Sequence, residues 1–293
     1  IGLAAASTFP VQAGTNGDGT GSITGLSALN LSSAIKSRSV SCHEVMLAYL
    51  GHIERINPDF NAIVSLRSSE ELLAEAAVCD QELSKGVYRG WMHGFPHAVK
   101  DLANARGLIT TGGSPIFKDR IATRDSIHIE RIKAAGAIII GKTNVPEFGL
   151  GSHTYNPVFG TTFNAYDGKS SAGGSSGGAA VGLALQMLPV ADGSDFMGSL
   201  RNPAAFNNVI GFRPTPGLVP LSNSFIEELP CNGPMGRNVS DTAMLLSTIA
   251  GYHPASPSSL SVDTSQYRKP LRRNFKGSKI GWLGDFNGYL AME

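Results

Sequence analysis

The chain has 293 residues, 42% of them hydrophobic, enough for a sizeable core in one large domain or two smaller ones. Its 24 basic and 23 acidic residues leave a formal charge of +1, and no basic run is interleaved with aromatics, so nucleic acid is not expected as a partner. Three widely spaced cysteines, Cys42, Cys79 and Cys231, lack C-x-x-C pairing and read as buried thiols, and neither a metal nor a cofactor is expected.

No apolar stretch of about 18 residues occurs, so no membrane-spanning helix is expected. The chain begins Ile1-Gly2-Leu3-Ala4-Ala5-Ala6, similar to the end of an apolar signal region, and Val11-Gln12-Ala13 reads as a small-residue cleavage site. No initiator Met or basic flank accompanies it. Two compartments stay open: cytoplasmic, or exported if residues 1–13 are a signal remnant. Residues 1–28 read as an N-terminal extension.

Ser41 and Glu44 have capping-box spacing, and Val45, Met46, Tyr49, Leu50, Ile53 and Ile56 recur at helical intervals, which predicts a helix over residues 42–56 ended by Asn57-Pro58. A second helix is predicted over 68–83. A third, over 126–135, is capped by Gly136 and followed by a strand at 137–140, an apolar run suited to burial on both faces. Residues 177–185 read as helix leading into a strand at 187–191. Residues 256–266 read as a surface loop, and a further strand starts at 279–283. Such alternation favours an α/β sheet covered by helices. The chain stops at Glu293 soon after that last strand begins, so the domain is expected to be incomplete at its C-terminus.

Gly136-Ala137-Ile138-Ile139-Ile140-Gly141-Lys142-Thr143 satisfies the phosphate-loop pattern G-x-x-x-x-G-K-[ST] letter for letter. Its middle residues are strand formers, and Asn144-Val145-Pro146 disfavours the helix whose N-terminus would hold a phosphate. ATP or GTP is not expected there.

Gly173-Gly174-Ser175-Ser176-Gly177-Gly178 would pass alone for a flexible linker, but the apolar run at 179–185 follows without a break. The serines therefore belong on a tight turn at the start of a buried helix. With Gly94-Phe95-Pro96-His97-Ala98-Val99-Lys100-Asp101, residues 135–144, Phe159-Gly160-Thr161-Thr162-Phe163-Asn164, Gly193-Ser194-Asp195, residues 199–204, Gly211-Phe212-Arg213-Pro214-Thr215 and Gly233-Pro234-Met235, this turn resembles the amidase signature family of serine hydrolases, the Ser-cisSer-Lys amidases. The resemblance covers residues 31–283 in the family's order. It implies a mixed central β-sheet covered by helices on both faces, with an amidase signature domain over 29–293.

Residue by residue, the resemblance makes Ser199 the nucleophile, Lys100 the base and Ser175 the bridging serine. It also assigns the oxyanion hole to the backbone N–H groups of Phe196, Met197, Gly198 and Ser199. Ser176 is expected to support the network, and Asp195 and Arg201 to brace the nucleophile loop.

The residue types suit that chemistry. A serine hydroxyl is a weak nucleophile and needs a proton acceptor. A lysine of ordinary pKa near 10.4 is only about 0.04% neutral at pH 7, so it must be buried to serve. Extended backbone at 99–102 turns Asp101 away from Lys100. His97 and His153 read as packing or surface groups. The sequence departs from the family pattern at Phe196-Met197, where a small or β-branched residue followed by glycine is commoner. A positive φ at Met197 would cost about 1–2 kcal/mol, and the expectation is that both side chains pack behind the loop and stiffen it.

The expected activity is hydrolysis of a carboxamide or anilide C–N bond through an acyl-enzyme. Two alternatives stand beside it: a non-catalytic relative, and one component of a glutamine-dependent amidotransferase. The expected partner is a small amide substrate, and a homodimer is left open.

Overall fold

The computed structural model describes residues 20–221, 229–282 and 284–289; the signal-like residues 1–13 lie outside this range. The first helix, α1 (Thr20–Gly25), is followed by α2 (Ala28–Lys36), which starts where the Ser27 side chain accepts the Asn30 N–H. Helix α3 (Cys42–Phe60) opens on the predicted capping box, with Ser41 and Glu44 each accepting the other's backbone N–H at 3.0 and 2.8 Å.

Helix α3 does not end before Pro58; it runs through it. The proline costs one N–H in the last turn, and the exit is rebuilt by Asn57, whose Oδ1 accepts the N–H groups of Ala62 and Ile63. Asn61 then reverses the chain with φ 51°.

Strand β1 (Ile63–Val64), helix α4 (Ser69–Ser84), strand β2 (Pro96–Lys100), helix α5 (Ile127–Ala134) and strand β3 (Ile138–Thr143) follow. Strands β4 (Tyr155–Asn156) and β5 (Gly160–Thr161) form a small hairpin ahead of α6 (Gly177–Ala184). The strand predicted at 187–191 begins later, as β6 (Ala191–Asp195). The N–H groups of Met187 and Leu188 turn back to Gly182 O at 2.8 and 3.1 Å and close α6, so no ladder can start until they are past. Helix α7 (Arg201–Phe206), strand β7 (Ile210–Gly211), strand β8 (Cys231–Gly236) and helix α8 (Val239–Ile249) complete the regular elements.

Two sheets carry the fold. In one, β3 is central, with β2 parallel and β1 antiparallel to it; the other is antiparallel in the order β6-β8-β7. Strands β2 and β6 are neighbours, so the sheets meet along the strand that carries Lys100. Helices α3, α4 and α6 pack on the first sheet, α7 and α8 on the second, around one core that includes Tyr49, Phe95, Val99, Ile140, Leu183 and Leu200. The strand predicted at 279–283 is not formed at 279–282, where Ile280 and Trp282 are exposed and no strand pairs with them; residue 283 lies outside the described range. Among the described residues no helix is long and apolar enough to cross a membrane.

The phosphate-loop lookalike is a buried strand. Lys142 lies within β3, donates to Ala103 O and to Thr110 Oγ1, and sits 3.7 Å from Asp101, with no free end to offer a phosphate. Helix α6 approaches the end of this strand closely. A Cβ at Gly178 would fall 2.3 Å from Asn144 N and 2.5 Å from Ala62 O, so only glycine permits the contact. The glycines after the double serine thus bring the serine turn onto the sheet.

Candidate active site

Lys100 ends β2 and is 1% exposed. Its Nζ lies 3.0 Å from Ser175 Oγ, 2.7 Å from Ser176 Oγ, 2.9 Å from Ser194 Oγ and 3.3 Å from Ser194 O. A charged ammonium needs three acceptors, whereas a neutral amine offers a lone pair that wants a donor. Hydroxyls rotate to serve as either, so this cradle satisfies the nitrogen in both states. Burial pulls the Lys100 pKa from its ordinary 10.5 to about 7, against the opposing pull of Asp192 and Asp195. Asp101 points away as predicted, accepting from Thr111 and facing Lys142.

The serines stand at the N-terminus of α6. The peptide bond between Gly174 and Ser175 is cis, and both Ser175 and Ser176 are buried. Ser176 caps α6 by position without capping it by side chain; its hydroxyl is turned to Lys100 and to Ser194. Ser199 is half-buried, and its carbonyl accepts the Ser176 N–H at 3.2 Å, which ties the two serine loops together. Its Oγ has no hydrogen-bond partner among the described residues, so the structure contains the Lys100 to Ser175 link and leaves the hydroxyl of Ser199 open.

Asp195 shapes the loop between β6 and α7. Its two oxygens accept the N–H groups of Gly198 at 2.8 Å and Leu200 at 3.1 Å. Arg201 binds it in bidentate fashion at 3.1 Å, and Arg213, to which the sequence pattern gave no role, adds a contact at 2.9 Å. Burial opposes ionisation of this carboxyl, yet the Arg201 and backbone donors outweigh it and hold it well below the usual carboxylate range. The Gly198 N–H, expected among the oxyanion donors, is engaged by Asp195; those of Phe196, Met197 and Ser199 have no such commitment among the described residues.

The Phe196-Met197 departure resolves differently from expectation. Of the loop residues only Gly198 has positive φ, at 123°, so Met197 carries no left-handed strain. Nor do the two side chains pack behind the loop: Phe196 is 53% and Met197 84% exposed. Both line a cavity of about 560 Å³ that also borders Leu102, Phe148, Leu150, Ser175, Ser199 and Asn202. Among the described residues no ionisable side chain lines it.

Residues far apart in sequence complete the site. Ser194 supplies half of the Lys100 cradle, and its place on β6 beside the Gly-Ser-Asp motif was the available signal. His97, expected to be a packing group, is fully buried with Nε2 3.0 Å from Asp192 Oδ1, while His153 is exposed and bonds Ser171. The described residues hold one metal-like cluster, Cys79, Glu82 and His93, whose glutamate and histidine are already engaged and whose thiol is kept protonated by burial. His93 bonds Cys79 O and Arg89 N, Glu82 pairs with Arg89, and burial pushes the Cys79 thiol up. His93 and His97 are four residues apart but serve different partners. All three cysteines are free and buried.

A buried lysine against a serine turn, on two sheets joined at the lysine strand, defines a class, and the comparisons agree. The sequence matches the Amidase family over residues 44–292, and the chain belongs to the amidase signature family. It is 35% identical to an acylamidase of Rhodococcus erythropolis over 260 residues, 88% of this chain and 54% of that protein. It is 37% identical to a component of the glutamyl-tRNA(Gln) amidotransferase of Acaryochloris marina over 250 residues, 85% of this chain and 52% of that one. Among solved structures it resembles a bacterial aryl acylamidase, with TM-score 0.77 and 33% identity over 81% of this chain and 50% of the other. The chain spans about half the length of the relatives it matches.

Proposed function

We propose that this chain is an amidase that cleaves the C–N bond of an uncharged, apolar carboxamide or anilide through Ser199, Ser175 and Lys100. The observation that carries the reading is the buried Lys100 Nζ, 3.0 Å from Ser175 Oγ, with a pKa near neutrality. Ser199 Oγ attacks the carbonyl carbon and gives its proton to Ser175, which passes one to neutral Lys100. The tetrahedral oxyanion is met by the N–H groups of Phe196, Met197 and Ser199. The C–N bond breaks as the proton returns through Ser175 to the leaving nitrogen, since an amine departs poorly unless protonated. Water then attacks the Ser199 ester, again with Lys100 as base, and releases the acid.

The apolar, charge-free lining of the cavity supports a neutral acyl or aryl group over free glutamine, whose ammonium and carboxylate would find no ionic partner among the described lining residues. The amidotransferase reading, favoured by the similarity to the glutamyl-tRNA(Gln) amidotransferase component, requires glutamine-dependent activity that appears only with a partner.

The test is turnover of a panel of aryl, alkyl and peptide amides by the purified chain, with fluorophosphonate labelling of the serine. Ser199→Ala is expected to lose both while melting at the parent temperature. Undiminished hydrolysis in that variant overturns the assignment.

A further inference from the structure

Asp192 lies on β6 beneath Lys100 and is 1% exposed. Its carboxylate gathers donors from three directions. The Lys100 backbone N–H reaches Oδ1 and Oδ2 at 3.2 and 3.3 Å, which ties the lysine strand to the neighbouring sheet. From β2, His97 Nε2 stands 3.0 Å from Oδ1. From α5, His128 Nε2 stands 3.5 Å from Oδ2, an ion-pair distance longer than a good hydrogen bond. Asn232 of β8 contacts His128 Nδ1 at 3.0 Å; with its amide N–H donating there, the ring proton is left on Nε2, facing the carboxylate.

Building on the amidase reading, we infer that Asp192 is a positioning residue for catalysis, fixing the place of Lys100 through its backbone and setting its basicity through an adjacent buried charge.

Burial opposes ionisation of Asp192, but the imidazoles of His128 and His97 beside it outweigh that cost and hold the carboxyl well below its usual range, so it is a carboxylate throughout the working pH. The other charged groups near it are Lys142 of β3 and Asp195 on its own strand. Lys142 is drawn chiefly to Asp101. Asp195 also acts on Lys100, but its charge is answered by Arg201 and Arg213. Among the described residues no arginine and no lysine ammonium forms an ion pair with Asp192, so its field falls on Lys100 with less compensation. A dry lysine without that field would be more often neutral at pH 7 and a poorer base. With it, the amine stays basic enough to take a proton from a serine.

Asp192→Asn keeps an acceptor for the Lys100 N–H and removes the charge. The acid limb of the kcat/KM profile is expected to move down by about one pH unit, and the plateau to fall about tenfold because the base is weaker. A second readout does not need turnover: the ε-carbon NMR resonance of Lys100 in 13C-lysine-labelled protein, identified by its loss in Lys100→Met. Its titration midpoint is expected to fall with the acid limb. A residue with only a structural role would lower the melting temperature and leave the midpoint in place, and that result overturns the inference. If the asparagine variant does not fold, Asp192→Ser, smaller and still an acceptor, is titrated in the same way. A parent chain that turns over no amide, with the midpoint still falling in the variant, would defeat the amidase reading and leave the coupling of Asp192 to Lys100 standing.

Discussion

Replacing Lys100 with methionine removes the buried amine and is expected to make the protein more stable at pH 6. Below pH 7 the lysine is charged in both the folded and unfolded states, and the folded state carries the full cost of burying an ammonium. Between the ordinary value of 10.5 and the buried value of about 7, at about 1.4 kcal/mol per pH unit, that cost is about 5 kcal/mol. Methionine has a similar length and no charge, so it removes the cost; the serine hydroxyls that lose Nζ give back about 2–3 kcal/mol. The expected net gain at pH 6 is about 2 kcal/mol. From pH 7 to 10.5 the unfolded parent binds a proton that the folded parent does not, so parent stability rises with pH and the advantage of the variant shrinks. By pH 10 the order reverses, because the parent then keeps neutral-amine hydrogen bonds that the variant lacks. Urea unfolding followed by circular dichroism at pH 6, 8 and 10, with thiols kept reduced, measures this directly. A variant less stable than the parent at pH 6, or an offset equal at pH 6 and 10, refutes the reasoning.

Two further outcomes follow from packing. A Cβ at Gly193 would lie 2.6 Å from Leu200 Cδ2, 2.9 Å from Ser176 Oγ and 3.0 Å from Met235 Sδ, so Gly193→Ala should cost about 1–3 kcal/mol in unfolding experiments. By displacing Ser176 it should also lower kcat more than it raises KM. Phe148, at the cavity wall and edge-on to Phe117 with centroids 6.0 Å apart, should contribute to holding apolar substrates. Phe148→Ala is expected to raise KM for aryl amides about tenfold with kcat nearly unchanged, read by steady-state kinetics on an aryl and a short alkyl amide.

The residues with local signatures were legible. The capping box of α3 and the side on which Asp101 lies follow from patterns a few residues long, whereas the meeting of Lys100 with Ser175 and Ser176 came only through the family resemblance. What was not legible depends on chain segments that meet only in the fold. Ser194 and Asp192 reach Lys100 across a sheet boundary from more than 90 positions away, and Arg213 reaches Asp195 from 18. Helix α3 passes Pro58 because Asn57 rebuilds the exit with side-chain bonds that a propensity rule does not count. Met197 and Phe196 stand exposed at the cavity through the conformation of the loop, and periodicity says nothing of that.

The cradle of three serine hydroxyls has a consequence for how this protein can be stabilised. On the proposed mechanism Lys100 exchanges its proton through rotation of O–H bonds, and the heavy atoms around it need not move between its charge states. Little reorganisation of the scaffold is therefore asked of the proton-transfer step. Rigidity and turnover need not compete at this end of the site, and helix caps or loop prolines added around β2 and α6 are expected to raise thermal tolerance without slowing the proposed chemistry.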